Sequence, residues 1–260
     1  MSLRRIPALL TLTIATVMQA GGAAALHESP VVTIGRVGGT TWDMLDPLVA
    51  DSTLTAPDVN GVATWNLDDP FSVAAYTVDS WTITLKEDPF VTNNLSLTNT
   101  SAVTSTFVAT VLLPIPAFNY DTVVNSSVGV TVTDSNGNGT LLFDVSGATP
   151  IYNGFVSFLG STTLLAMNPV APGTIPITTA DCLPFPFSGC SATSSNGVAS
   201  LGVTPGLATQ IGLTLTFQLS PGDSVGITSR FEIVNVPEPA AVALLGLSLG
   251  GLALARRFTA

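Results

Sequence analysis

A strict alternation of apolar and polar residues is the feature that most limits what this chain can form. From Ile211 to Leu219 every second residue is apolar, and the alternation resumes in phase from Val225 to Ile233, after the turn-like Pro221-Gly222-Asp223. A period of two places alternate side chains on opposite faces of a β-strand. Because a Pro-Gly pair supplies a tight turn, this stretch predicts a β-hairpin with one buried face.

The same period recurs upstream, and no helical period of useful length stands between Leu26 and Val236. Apolar residues alternate with threonine, glycine or lysine from Trp81 to Lys86 and from Val128 to Thr133. Short strands separated by Gly, Pro and Asn turns are typical of antiparallel sandwiches. The sequence therefore predicts an all-β, jelly-roll-like antiparallel β-sandwich over residues 26–235.

The charge of this body excludes one class of partner. Only 9% of the residues of the chain are charged, against about 25% in ordinary globular domains. Between Leu26 and Val236 there are 16 acidic and 3 basic residues, a net charge of −13. Such a field repels nucleic acid, so we expect no nucleic-acid partner.

The first 25 residues have the three parts of a secretory signal. Arg4 and Arg5 precede an apolar stretch from Ile6 to Met18, and small residues end it at Ala23-Ala24-Ala25. A basic start, an apolar middle and small residues at the cleavage site define a signal peptide. Residues 1–25 are therefore predicted to form a signal helix that is removed after Ala25.

The last 25 residues, 236–260, also have three parts in a fixed order. Pro237-Glu238-Pro239 comes first, Ala240–Ala255 follows without a charge, and Arg256-Arg257 closes the run. The prolines hold the segment around Glu238 extended. The 16 uncharged residues would give a helix of about 24 Å, enough for a thin bilayer, with the arginines on the cytoplasmic side.

Together these parts resemble a PEP-CTERM sorting signal, the C-terminal tag of exported proteins that an exosortase recognises in Gram-negative bacteria. The resemblance implies that Pro237, Glu238, Pro239, Arg256 and Arg257 form the processing motif. It also implies a transient inner-membrane anchor, exosortase as partner, and a final place at the surface or in the extracellular matrix of exopolysaccharide-producing cells. A plain membrane anchor, the main rival, gives no reason for Pro-Glu-Pro.

Two further motifs suggest local chemistry. Cys182 and Cys190 are the only cysteines, and an even count in an exported chain predicts a disulfide. Asp134, Asn136 and Asn138 have the D-x-N-x-N-G spacing of a calcium loop, but Val145 stands where the bidentate acid belongs. The sequence favours an Asn-Gly hairpin turn there and leaves weak calcium binding open, with no other cofactor expected.

Catalytic machinery is sparse. The single histidine, His27, lies two residues after the expected cleavage site, which argues against Ser-His-Asp and Cys-His catalysis. We therefore expect a structural protein and not an enzyme. Two alternatives stay open: a polysaccharide-binding module, with or without calcium, and a two-carboxylate glycan hydrolase. Six aromatic residues could stack on sugars, although a core position is expected for most of them: Trp42, Trp65, Trp81, Tyr76, Tyr120 and Tyr152.

Overall fold

A computed structural model describes residues 29–86, 89–118, 122–136, 150–158, 161–167, 190–203 and 208–235. Every regular element in these ranges is a β-strand. The strands are β1 (Val31–Arg36), β2 (Thr41–Asp43), β3 (Ser52–Leu54), β4 (Val62–Leu67), β5 (Phe71–Val73), β6 (Tyr76–Lys86), β7 (Phe90–Asn99), β8 (Ser105–Phe118), β9 (Thr122–Asp134), β10 (Tyr152–Phe158), β11 (Ser161–Met167), β12 (Cys190–Val203), β13 (Ala208–Leu219) and β14 (Ser224–Asn235).

The strands form two antiparallel sheets. One has six strands in the order β11-β10-β13-β8-β1-β2, and the other has eight, ordered β12-β9-β14-β7-β6-β4-β3 with β5 paired to β6. The predicted antiparallel two-sheet sandwich is confirmed. Its jelly-roll class and its boundaries at residues 26 and 235 stay predictions, and the two terminal helices fall outside the described residues.

Alternating side chains of both sheets meet in one core. Tyr76 of the eight-stranded sheet packs edge-on against Phe107 of the six-stranded sheet, with ring centroids 5.4 Å apart. Between the sheets, the hydroxyl oxygens of Ser126 and Tyr152 lie 2.8 Å apart. Both hydroxyls also lie near the Arg230 carbonyl oxygen, at 3.1 and 3.4 Å. Apolar packing and a few satisfied polar contacts thus hold the two layers together.

The predicted hairpin between Ile211–Leu219 and Val225–Ile233 is wrong in its pairing, although both strands exist. Strand β13 pairs with β8 and β10 in one sheet, whereas β14 pairs with β7 and β9 in the other. The turn between them therefore crosses from sheet to sheet. Gly222 has a φ of 77°, which a residue with a Cβ rarely adopts, and its N–H donates to the Asn99 carbonyl oxygen at 2.8 Å.

One glycine in β13 allows neighbouring strands to approach closely. A Cβ on Gly212 would stand 2.6 Å from the Val111 carbonyl oxygen and 2.7 Å from Cζ of Phe155. Because a backbone oxygen cannot move aside, we expect Gly212→Ala to lower the free energy of unfolding by about 1–3 kcal/mol. Gly226→Ala in β14 is the matched control, since no described atom lies within 4 Å of its Cβ position. Urea denaturation measures both, and an equal loss in the two variants would contradict this packing.

Candidate functional site

The predicted sorting residues lie outside the part of the chain that the structure describes. This applies to Pro237, Glu238, Pro239, Arg256 and Arg257, and also to Cys182 and Asn138. Cys190 is the first residue of β12, where its backbone lies opposite Asp134. The Cys182–Cys190 disulfide therefore stays a prediction. Across the described ranges, no helix has the length and apolar character needed to cross a membrane.

The structure brings together two carboxylates that stand 89 residues apart in the chain. The register of β14 against β9 pairs Ser224 with Thr133. Continuing that register by one residue places Asp223 beside Asp134, on the inner face of the sheet. Asp134 is 1% exposed and Asp223 is fully buried. We call these two residues the carboxylate pair.

The surroundings of Asp223 do little to compensate its charge. Neither of its carboxylate oxygens has a hydrogen-bond partner among the described residues, and the same is true of the buried Ser220 hydroxyl. Burial, and then the charge of Asp134, raise the pKa of Asp223 from 3.8 to about 7. The Ser220 hydroxyl and the Ser135 N–H act in the opposite direction, but neither reaches hydrogen-bond geometry. An ionised Asp223 is therefore costly in this place.

Asn136 connects the end of β9 to the turn before β14. Its N–H donates to Oδ1 of Asp134 at 3.1 Å, and its side-chain amide donates to the Pro221 carbonyl oxygen. The predicted calcium loop is therefore only partly described. Asp134 and Asn136 are in place, and Asn138 lies beyond the described residues. Sequence reasoning missed Asp223, because only strand register reveals it.

No cluster of acids, histidines or cysteines forms a metal site in the described ranges. No set of three or more His, Cys, Asp or Glu residues is arranged to hold a metal ion there. Two acids of the stretch from Asp43 to Asp69, Asp43 and Asp46, lie at surface turns, where Oδ1 of Asp43 accepts from the Leu45 N–H at 3.0 Å and Oδ1 of Asp46 accepts from the Leu48 N–H at 2.9 Å. These carboxylates cap turns.

The aromatic residues serve the core, as the sequence suggested. Trp65, Trp81, Tyr76 and Tyr152 are at most 2% exposed. Trp42 is half-buried and packs edge-on against Phe71, with centroids 5.9 Å apart. Tyr120 lies outside the described residues. Within the described ranges, these rings therefore form no exposed stacking platform for a sugar.

Comparison with known proteins identifies the tail. Residues 235–257 match the family model described as the PEP-CTERM protein-sorting motif. The chain thus carries this motif at its C-terminus, which confirms the resemblance drawn from the sequence. The motif implies an exported, cell-surface-sorted protein that an exosortase processes.

Comparisons of the whole chain add little. A search of curated proteins found no match to this sequence. Among solved structures, one match is TmCBM61 in complex with β-1,4-galactotriose, at 12% identity over 56% of this chain and 71% of that chain. The TM-score is 0.25, and a likeness at this level carries no argument about the activity of the sandwich.

Proposed function

We propose that this chain is a non-enzymatic structural protein of the cell surface or extracellular matrix. A signal peptide would export it, the C-terminal helix would hold it briefly in the inner membrane, and an exosortase would process it near Pro237-Glu238-Pro239. The match of residues 235–257 to the PEP-CTERM motif carries this proposal. The exopolysaccharide around the cell is then the environment in which the sandwich works.

The outer face of the eight-stranded sheet supports a matrix role. Strand register aligns Thr82 of β6 with Asn94 of β7 and Thr228 of β14. In the neighbouring row on the same outer face, Ser80 is aligned with Ser96 and Gly226. Hydroxyl and amide groups keep such a face hydrated with little charge, which suits a protein that is surrounded by polysaccharide.

The carboxylate pair does not support the hydrolase alternative. A glycosidase needs two carboxyl groups that face a sugar from opposite sides, about 5–10 Å apart. Asp134 and Asp223 are adjacent cross-strand neighbours with at most 1% exposure. Because a sugar ring cannot reach a fully buried carboxylate, we assign this pair no catalytic role.

Glu238→Ala in the producing cells tests the processing step. The extended Pro-Glu-Pro segment is the part that a processing enzyme would bind, so we expect the variant to stay in the membrane fraction at its unprocessed mass. The unaltered chain should appear outside the cell with its C-terminus near Glu238. Asp69→Ala is the matched control, because it removes one exposed acid from the sandwich and should leave processing unchanged. Normal release of the Glu238→Ala variant would contradict the proposal.

A second comparison separates a structural role from an enzymatic one. Purified protein is incubated with exopolysaccharide from the producing cells, and the polymer is sized by gel filtration over time. We expect an unchanged polymer size, together with a less cohesive matrix in cells that lack the protein. A steady fall in polymer size that requires the protein would establish the hydrolase instead.

A further inference from the structure

The end of the eight-stranded sheet contains a buried polar row that neither export nor processing explains. Strand register brings Asp134 of β9, Asp223 beside β14 and Asn99 of β7 to the same level. Asn99 is fully buried, and its N–H donates to the Asp223 carbonyl oxygen at 2.9 Å. This hydrogen bond, together with the one from the Gly222 N–H to the Asn99 carbonyl oxygen at 2.8 Å, holds the backbone of Asp223 at the sheet end, where its side chain is fully buried.

Two carboxylates held side by side in the interior repel each other and lose their hydration. A buried acid of this kind normally receives several N–H or O–H donors. Both oxygens of Asp223 have no such donor among the described residues, and the adjacent Ser220 hydroxyl also has no partner there. Two carboxylate oxygens and one hydroxyl oxygen are thus left without a hydrogen-bond partner at the same place.

A hard divalent cation satisfies this arrangement better than any side chain nearby. Calcium binds carboxylate, hydroxyl and carbonyl oxygens, and water completes its six to eight ligands. It neutralises two carboxylates at once, whereas a single proton neutralises one. We propose that Asp134 and Asp223 jointly bind a Ca²⁺ ion that joins β9 to the turn between β13 and β14.

This site differs from the linear loop motif that includes Asn138. Asp134 is the last residue of β9 and Asp223 directly precedes β14, and Asn136 contributes by connecting the end of β9 to Pro221. Binding of calcium would therefore hold the end of β9 to the turn that leads from β13, in the six-stranded sheet, into β14 of the eight-stranded sheet. The proposal is independent of how the C-terminal tail is processed.

The test is thermal unfolding of the full chain at pH 8, in buffer with EGTA and in buffer with CaCl₂ as the probe. A ligand at 100 times its Kd stabilises by about 2.7 kcal/mol, which corresponds to a Tm rise of roughly 5–10 °C for a domain of this size. We expect that rise with calcium and a clearly smaller one with the same concentration of MgCl₂, because magnesium gives up its water reluctantly.

Asp223→Asn keeps the shape of the side chain and removes its charge. We expect this variant to fold in EGTA with a Tm at least as high as the unaltered protein, because the repulsion is gone, and to lose the calcium-dependent rise. Asp134→Asn should behave in the same way. Asp69→Asn removes an equal charge from an exposed position and should keep the full rise.

Three results would overturn the proposal. An unaltered protein with the same Tm in EGTA and in CaCl₂ would show that the folded state binds no calcium. A calcium-dependent rise that survives in both Asn variants would place the ion elsewhere. Equilibrium dialysis of the unaltered protein with ⁴⁵Ca²⁺ provides a test that does not depend on any variant, and failure to bind calcium there would also refute the site.

Discussion

Trp81→Ala should lower the free energy of unfolding by about 3–5 kcal/mol, the usual cost of truncating a buried tryptophan. Trp81 is 1% exposed and packs at 88° against the buried Trp65, with ring centroids 5.6 Å apart. Its Nε1–H also donates to Oδ1 of Asn93 at 2.5 Å. The alanine leaves a cavity on the inner face of β6 and removes the donor to a buried amide oxygen.

Urea denaturation followed by fluorescence and circular dichroism measures this loss. The free energy of unfolding of Trp81→Phe should lie between those of the unaltered protein and Trp81→Ala, because phenylalanine keeps a ring against Trp65 and loses the hydrogen bond. Trp42→Ala is the control, since Trp42 is half-buried at the edge of the core and should cost less than half as much. If Trp42→Ala proved as destabilising as Trp81→Ala, the placement of the Trp81 side chain in the core would be contradicted.

Asn99→Ala should cost about 2–4 kcal/mol, because it leaves several buried backbone groups without a partner. The side-chain Nδ2 of Asn99 lies 2.8 Å from the Leu219 carbonyl oxygen, 3.0 Å from that of Val103 and 3.1 Å from that of Ser220. Its Oδ1 accepts from the Ser101 N–H at 3.0 Å and from the Ser101 hydroxyl at 2.7 Å. One amide thus connects the end of β7 to the turn that crosses between the sheets.

Asn94→Ala is the matched control for this effect. Asn94 lies in the same strand but on its exposed face, so its loss should change the free energy of unfolding by no more than about 0.5 kcal/mol. The two variants are compared by thermal and urea unfolding. Similar stability for both variants would mean that the hydrogen bonds of the Asn99 side chain do not stabilise the turn between β13 and β14.

The alternating pattern was sufficient to predict strands over Ile211–Leu219 and Val225–Ile233, and to predict which of their side chains are buried. Ile211, Leu213 and Leu215 are buried, as are Val225 and Ile227. The alternating pattern could not predict which strands are hydrogen-bonded to each other. Two strands that face each other across a core have the same alternation as two strands paired in a hairpin, because in both cases one face of each strand is buried.

The sequence was sufficient to predict the motif in the tail, but it was not sufficient to predict the carboxylate pair. A sorting enzyme reads residues in their linear order, so the motif around Glu238 is complete in the sequence itself. Asp223 meets Asp134 through strand register alone, across 89 residues. The loop spacing around Asp134 therefore grouped it with Asn138, which is close in the chain. It could not indicate Asp223, the acid that the fold places beside Asp134.

The intact mass of the protein in the membrane fraction and in the culture supernatant tests the central claim most directly. Export and exosortase processing predict a mature species outside the cell that begins near Leu26 and ends close to Glu238. A species that stays in the membrane and still carries Arg256 and Arg257 would contradict the account, because the tail would then be a permanent anchor.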